Sequence, residues 1–177
     1  MNKQDIEELI GRFHFEEYQW IGAEKIVISQ WVRMKCLFGC DETGRPVCPP
    51  NLPSIEVCRE LIHEYQNILI FHFTKAVKYG DYPEKWAKHL TRQLLDLEKE
   101  IFLSGCHKVF LLSASSCNLC NECQADKKLC KHPLLLRPCP EAMGIDVFET
   151  ARNCNYPIEV LRRDSKMMNR YAFILIE

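Results

Sequence analysis

In the run CNLCNECQADKKLC, two residues separate Cys117 from Cys120 and two separate Cys120 from Cys123, while Cys130 follows after six more. These thiols are not core side chains, because Asn118, Asn121, Glu122, Asp126 and Lys127 between them are too polar to bury together. Spacing of this kind wraps a backbone around metal. In the CxxCxxC run of bacterial ferredoxins it places sulfurs on several irons of one cubane, whereas tetrahedral zinc more commonly draws on CxxC pairs from two hairpins. Both take soft thiolate donors, and the run favours an iron–sulfur cluster over zinc. The fourth donor is Cys130 or Cys139. Cys139 is followed by Pro140, the cysteine–proline pair found at the distal position of ferredoxin runs, where the cysteine can ligate a different cluster.

A second constellation, CLFGCDETGRPVCPP, holds Cys36, Cys40 and Cys48. Gly39 and Gly44 permit the tight backbone that a cluster requires, and Pro49 and Pro50 hold the chain extended beyond the last cysteine. Three cysteines leave one coordination position to fill, from Cys58, Cys106, Cys139 or an exogenous ligand, and an open iron there would mean chemistry beyond electron transfer. Cys58 also suits a packed thiol on an apolar helix stripe. Cys106 and Cys154 read as ordinary thiols. His132 is close to Cys130 but better placed beside a ligand than as one, and His63, His72 and His107 have no metal spacing. Arg33, Lys35 and Arg137 flank the loops, where solvation is the default reading.

Eleven cysteines in 177 residues need a purpose. Their odd number and the acidic, weakly apolar start MNKQDIEELIGRF argue against a secreted disulfide framework and for reduced thiols in a soluble cytoplasmic protein. With 23 basic against 24 acidic residues no global field draws in nucleic acid, and no stretch is apolar for long enough to span a bilayer. Dinucleotide, P-loop, nucleophile-elbow and HExxH motifs are missing from the sequence.

The length and a 47% hydrophobic share predict one core and one domain over residues 1–177. Helices are expected at Asp5–Phe13, beyond Ser54 as N-cap, and from Pro83 to Leu103, where Trp86, Leu90, Leu94, Leu97 and Ile101 recur at helical spacing. Strands are expected at Lys25–Ser29, Ile68–Phe73, Val109–Leu112 and Tyr171–Ile176, with Ile158–Leu161 extended and Glu141–Arg152 helical. The result is a layered α/β or α+β sandwich in which both cysteine loops follow strands.

The phrases VRMKCLFGC, VCPPNLPSIEVCRELIHEY, SSCNLCNEC, CKHPLLLRPCPEAMGIDVFETARNCNYPIEV and YAFILIE resemble the DUF2284 family of metal-binding proteins. The resemblance runs from the first expected strand to the end. It implies metal binding by Cys36, Cys40, Cys48, Cys117, Cys120, Cys123 and Cys130. Cys139 departs from it, since such proteins often carry Ser where this chain reads RPCPEA. It further implies an accessory role in anaerobes, in some cases beside corrinoid-dependent methyl transfer. The expected function is a protein with one or two 4Fe-4S clusters that exchanges electrons with a partner enzyme; the alternatives are a zinc-held adaptor, and a cluster carrier or catalyst with an open iron.

Overall fold

The computed structural model describes residues 2–78, 80 and 82–177. Four strands, β1 (Tyr18–Ile21), β2 (Asn67–Ala76), β3 (Phe110–Leu112) and β4 (Met167–Ile176), form one sheet in the order β1-β2-β4-β3. Every pairing is antiparallel, so the fold is α+β. The β2–β4 pair is its spine, in register from Asn67 opposite Ile176 to Ala76 opposite Met167. Successive side chains of a strand point to opposite faces. Leu69 and Phe71 therefore enter one apolar cluster and Ile68 and Ile70 the other, all four fully buried. A strand covered on both faces shows a continuous apolar run rather than alternation, and that is how ILIF reads.

Helices α1 (Lys3–Arg12) and α4 (Glu84–Leu103) cover the first face. Asn2 and Asp5 form a reciprocal capping box at the start of α1, and α4 buries Leu90, Leu94, Leu97 and Ile101 at spacings of four, three and four. The other face is covered by α3 (Ile55–His63) and α5 (Val147–Asn153). The Ser54 side chain accepts from the Val57 backbone and that of Asp146 from the Glu149 backbone, each satisfying a free amide of a first turn. Each fully buried aliphatic side chain contributes about 2 kcal/mol of transfer free energy.

Three local expectations are corrected. Lys25–Ser29 is not a strand: Ala23–Lys25 is a 3-10 turn, and Ile28 makes only an isolated bridge to Ile145. The sheet edge is taken by Tyr18–Ile21 instead, so a β-branched run without a neighbour gains no ladder. The first two cysteines are consequently carried by a helix, α2 (Gln30–Gly39), Cys36 within it and Cys40 as its C-cap, rather than following a strand. Glu141–Arg152 is not one helix, because Gly144 at φ 84° separates the turn Glu141–Met143 from α5. A Cβ at that glycine would sit 3.4 Å from Ile55, so both backbone and space require glycine there. Ile158–Leu161 joins no strand, and Val160 and Leu161 are exposed.

Candidate metal centres

Helix α2 ends at Gly39 with Cys40 as its C-cap, so Cys36 and Cys40 are one helical turn apart on one face. The chain then turns through residues 41–51 and returns to place Cys48 beside them. Backbone bonds lace this loop: Gly44 N donates to the Pro49 carbonyl at 2.8 Å, and Cys48 N to the Arg45 carbonyl at 3.0 Å. Gly44 has φ 87°, and the Asn51 amide donates to the carbonyls of Gly44 and Arg45 at 2.8 and 3.1 Å. Thr43 Oγ1 donates to the Cys36 carbonyl.

Against α2 packs the turn Glu141–Met143, and the Cys36 thiol is 3.7 Å from the Glu141 carbonyl. This brings in Cys139 from the far end of the chain. Cys36, Cys40 and Cys48 are near enough to feel one another's charge, and Cys139 feels Cys36 and Cys48. The first set is thus Cys36, Cys40, Cys48 and Cys139. Burial pushes the Cys48 thiol up to about 12, helped by the neighbouring Cys40, Glu42 and Cys36. Burial of its sulfur likewise raises Cys139 well above the ordinary thiol range, although the residue as a whole is only partly buried. Such thiols stay protonated at neutral pH until a metal displaces the proton.

The second set leaves the end of β3. Ser113 N donates to the Pro138 carbonyl at 2.9 Å, which pinches the base of a long excursion. Within it Cys117, Cys120, Cys123 and Cys130 line one small pocket with Leu119, His132, Leu136 and, from the first loop, Pro46. Desolvation raises the Cys117 thiol, with the other three cysteines adding to the shift. Three sulfurs accept backbone amides: Cys130 from His132 at 3.4 Å, Cys117 from Leu119, and Cys139 of the first set from Ala142. Amides directed at sulfur stabilise thiolates and help to set the potential of a bound cluster. Two sets of soft donors, already supplied with N–H groups, fit a thiolate-bound metal.

A profile of the DUF2284 family, described as predicted metal-binding protein, matches residues 19–176. The chain belongs to the DUF2284 family. Neither a curated protein nor a solved structure matches it. For this DUF2284 chain a metal is implied by the family description together with the cysteines.

The fold does not bring Cys58 into either set. It is fully buried on α3, with its sulfur 3.8 Å from Met143 Sδ, 3.8 Å from the Pro53 carbonyl and 3.6 Å from Arg33 Nη2. Cys106 and Cys154 are buried in the two apolar clusters. His132 is in the wall of the second pocket. His72 is buried on β2 between Glu17 and Asn169 Oδ1 and stacked on Tyr171, while exposed His63 bonds the Arg59 carbonyl. Among the flanking cations, Arg137 is not a solvated charge. Its Nε donates to both carboxylate oxygens of buried Glu98 at 2.8 Å, and its Nη1 to the Leu136 carbonyl at 2.8 Å. Lys35 lies over the Trp31 ring.

Sequence reading missed Glu141, whose carboxylate raises both Cys36 and Cys139 and which lines a cavity of about 280 Å³ with Cys36 and Cys40. It also missed α2, although the four-residue step from Cys36 to Cys40 was a readable helical signal. Among the described residues, no three His, Cys, Asp or Glu side chains stand close enough to clasp one ion, and no helix is long and apolar enough to cross a membrane.

Proposed function

We propose that this protein holds two four-iron clusters, one per cysteine set, and exchanges electrons with a partner enzyme. The observation that carries the reading is the division of eight cysteines into two sets of four, each with the thiolate count that a [4Fe–4S] cluster takes. Bound there, such a cluster supplies one reversibly exchangeable electron. The chain's own part is to position and tune. Cys36 and Cys40 are fixed by α2, Cys48 by the laced loop, and Cys117 and Cys130 by the amides aimed at their sulfurs. A fourth thiol within reach of Cys36 and Cys48 also supports a closed first site over one with an open iron.

The CxxCxxC spacing of Cys117, Cys120 and Cys123 supports a cluster over zinc. At a zinc–sulfur distance of about 2.3 Å, thiolates on one zinc crowd to within about 4 Å of each other, while several irons hold them farther apart. The four cysteines of the Cys117–Cys130 set line one small pocket together. Around that pocket Lys127, Lys128 and Lys131 are exposed, as are Leu129 and Leu134, a mixed basic and apolar rim suited to a protein partner with an acidic edge. Corrinoid-linked methyl transfer as the setting rests on the family resemblance alone.

The test is purification without oxygen followed by iron and acid-labile sulfide analysis. About eight irons per chain, with matching sulfide and visible absorbance bleached by dithionite, is the expected result. A colourless protein with stoichiometric zinc would replace this reading with that of a zinc-held adaptor, for which a four-cysteine set is equally suitable.

A further inference from the structure

We propose that the two sets hold an adjacent pair of centres with crossed provenance, Cys139 from the second segment completing the first centre and Pro46 from the first loop walling the second. This rests on the iron–sulfur reading above.

Two separate chain connections tie the centres together. Pro46 lines the pocket of Cys117, Cys120, Cys123 and Cys130, yet it lies two residues before Cys48 of the first set. Two residues of fully extended chain span at most about 7 Å, so the backbone of a first-set ligand is within that distance of the second pocket's wall. On the other side Leu136 lines the same pocket and lies three residues before Cys139. Three residues reach no farther than about 11 Å.

The crossing has a structural cause. After Cys130 the chain passes His132 and Leu136 in the pocket wall, is anchored by Arg137 on Glu98, and is held at Pro138 by Ser113 at the end of β3. Beyond that anchor it leaves the second pocket. Cys139 and the following turn then lie against α2, where the Cys36 thiol meets the Glu141 carbonyl at 3.7 Å. In two-cluster ferredoxin runs the cysteine before proline ligates the other cluster, and Cys139–Pro140 reproduces that placement on a different fold.

The experiment compares anaerobically purified wild type with Cys139→Ser, Cys130→Ser and Cys58→Ser, measuring iron, sulfide and the paramagnetic resonance of dithionite-reduced protein. Wild type should give a spectrum broadened by interaction between two nearby spins. Cys139→Ser and Cys130→Ser should each lose about half the iron and leave one narrow, isolated signal. Cys58→Ser should keep full iron and the interacting spectrum. Full iron in wild type with two non-interacting signals would overturn the pairing and leave the iron–sulfur reading standing. Full iron in Cys139→Ser with loss in Cys58→Ser would overturn the crossed assignment. Wild type without iron or sulfide would overturn the function and the pairing together. Should Cys139→Ser fail to fold, as judged by circular dichroism, the wild-type spectrum still decides the pairing and the iron content of Cys58→Ser the choice of ligand.

Discussion

The two cysteine regions reach the same count of four thiols by opposite routes. The first is held by secondary structure and a dense set of local bonds: a helix turn fixes Cys36 and Cys40, and Gly44, Pro49 and Asn51 knot the return to buried Cys48. The second is an excursion between Ser113 and Pro138 that contains only the short turns Lys127–Leu129 and Pro133–Leu135, with Cys123 exposed. A laced loop keeps its shape before metal arrives. A loop with few internal bonds takes its shape largely from the metal, because little else repays the entropy of ordering it. The contrast is one of internal bonding rather than exposure, since each region holds one exposed cysteine, Cys40 in the first and Cys123 in the second.

The largest effect should come from the anchor of the second region. Arg137→Ala leaves the Glu98 carboxylate buried with one remaining donor, the Leu111 amide at 2.8 Å, and should cost about 3 kcal/mol in urea unfolding. Its iron loss should be confined to the second centre; equal loss from both would erase the contrast. Next, chelation should open the second loop selectively. Limited proteolysis with mass mapping should cut within 118–131 at least about tenfold faster than within 41–51, a gap of about 1.4 kcal/mol in local opening.

A smaller effect sharpens the picture of the first region. Asn51→Ala removes two side-chain bonds to loop carbonyls and should cost about 1 kcal/mol, with protection lost in 41–51 by hydrogen exchange and none in 117–130. The smallest is Lys128→Ala. Its side chain lies on the exposed rim, so unfolding should change by less than about 0.5 kcal/mol, while association with an acidic partner slows and loses part of its salt dependence.

Legibility followed the range of the forces involved. Helix α4 is written in its own periodicity, and α3 in its cap and stripe, since both signals lie within a few turns of chain. The strand expected at Lys25–Ser29 failed because β propensity records a fit to neighbours, and Tyr18–Ile21 occupies the place beside β2. Arg137 read as surface charge because nothing near it in the chain announces Glu98, 39 residues earlier. Cys58 read as a packed thiol more readily than as a ligand, and the core closes around it.

The sequence by itself determined the donors: their softness, their number, and the close spacing that makes Cys117, Cys120 and Cys123 one group. Only the tertiary structure decided which distant thiol joins which group. Cys36 and the Glu141 carbonyl meet across 105 residues, and Cys139 is carried to that meeting by an anchor on α4 and a turn packed on α2. Local spacing constrains only what a few residues of chain can reach; partners a hundred residues apart are chosen by the packing of helices and loops around a shared sheet.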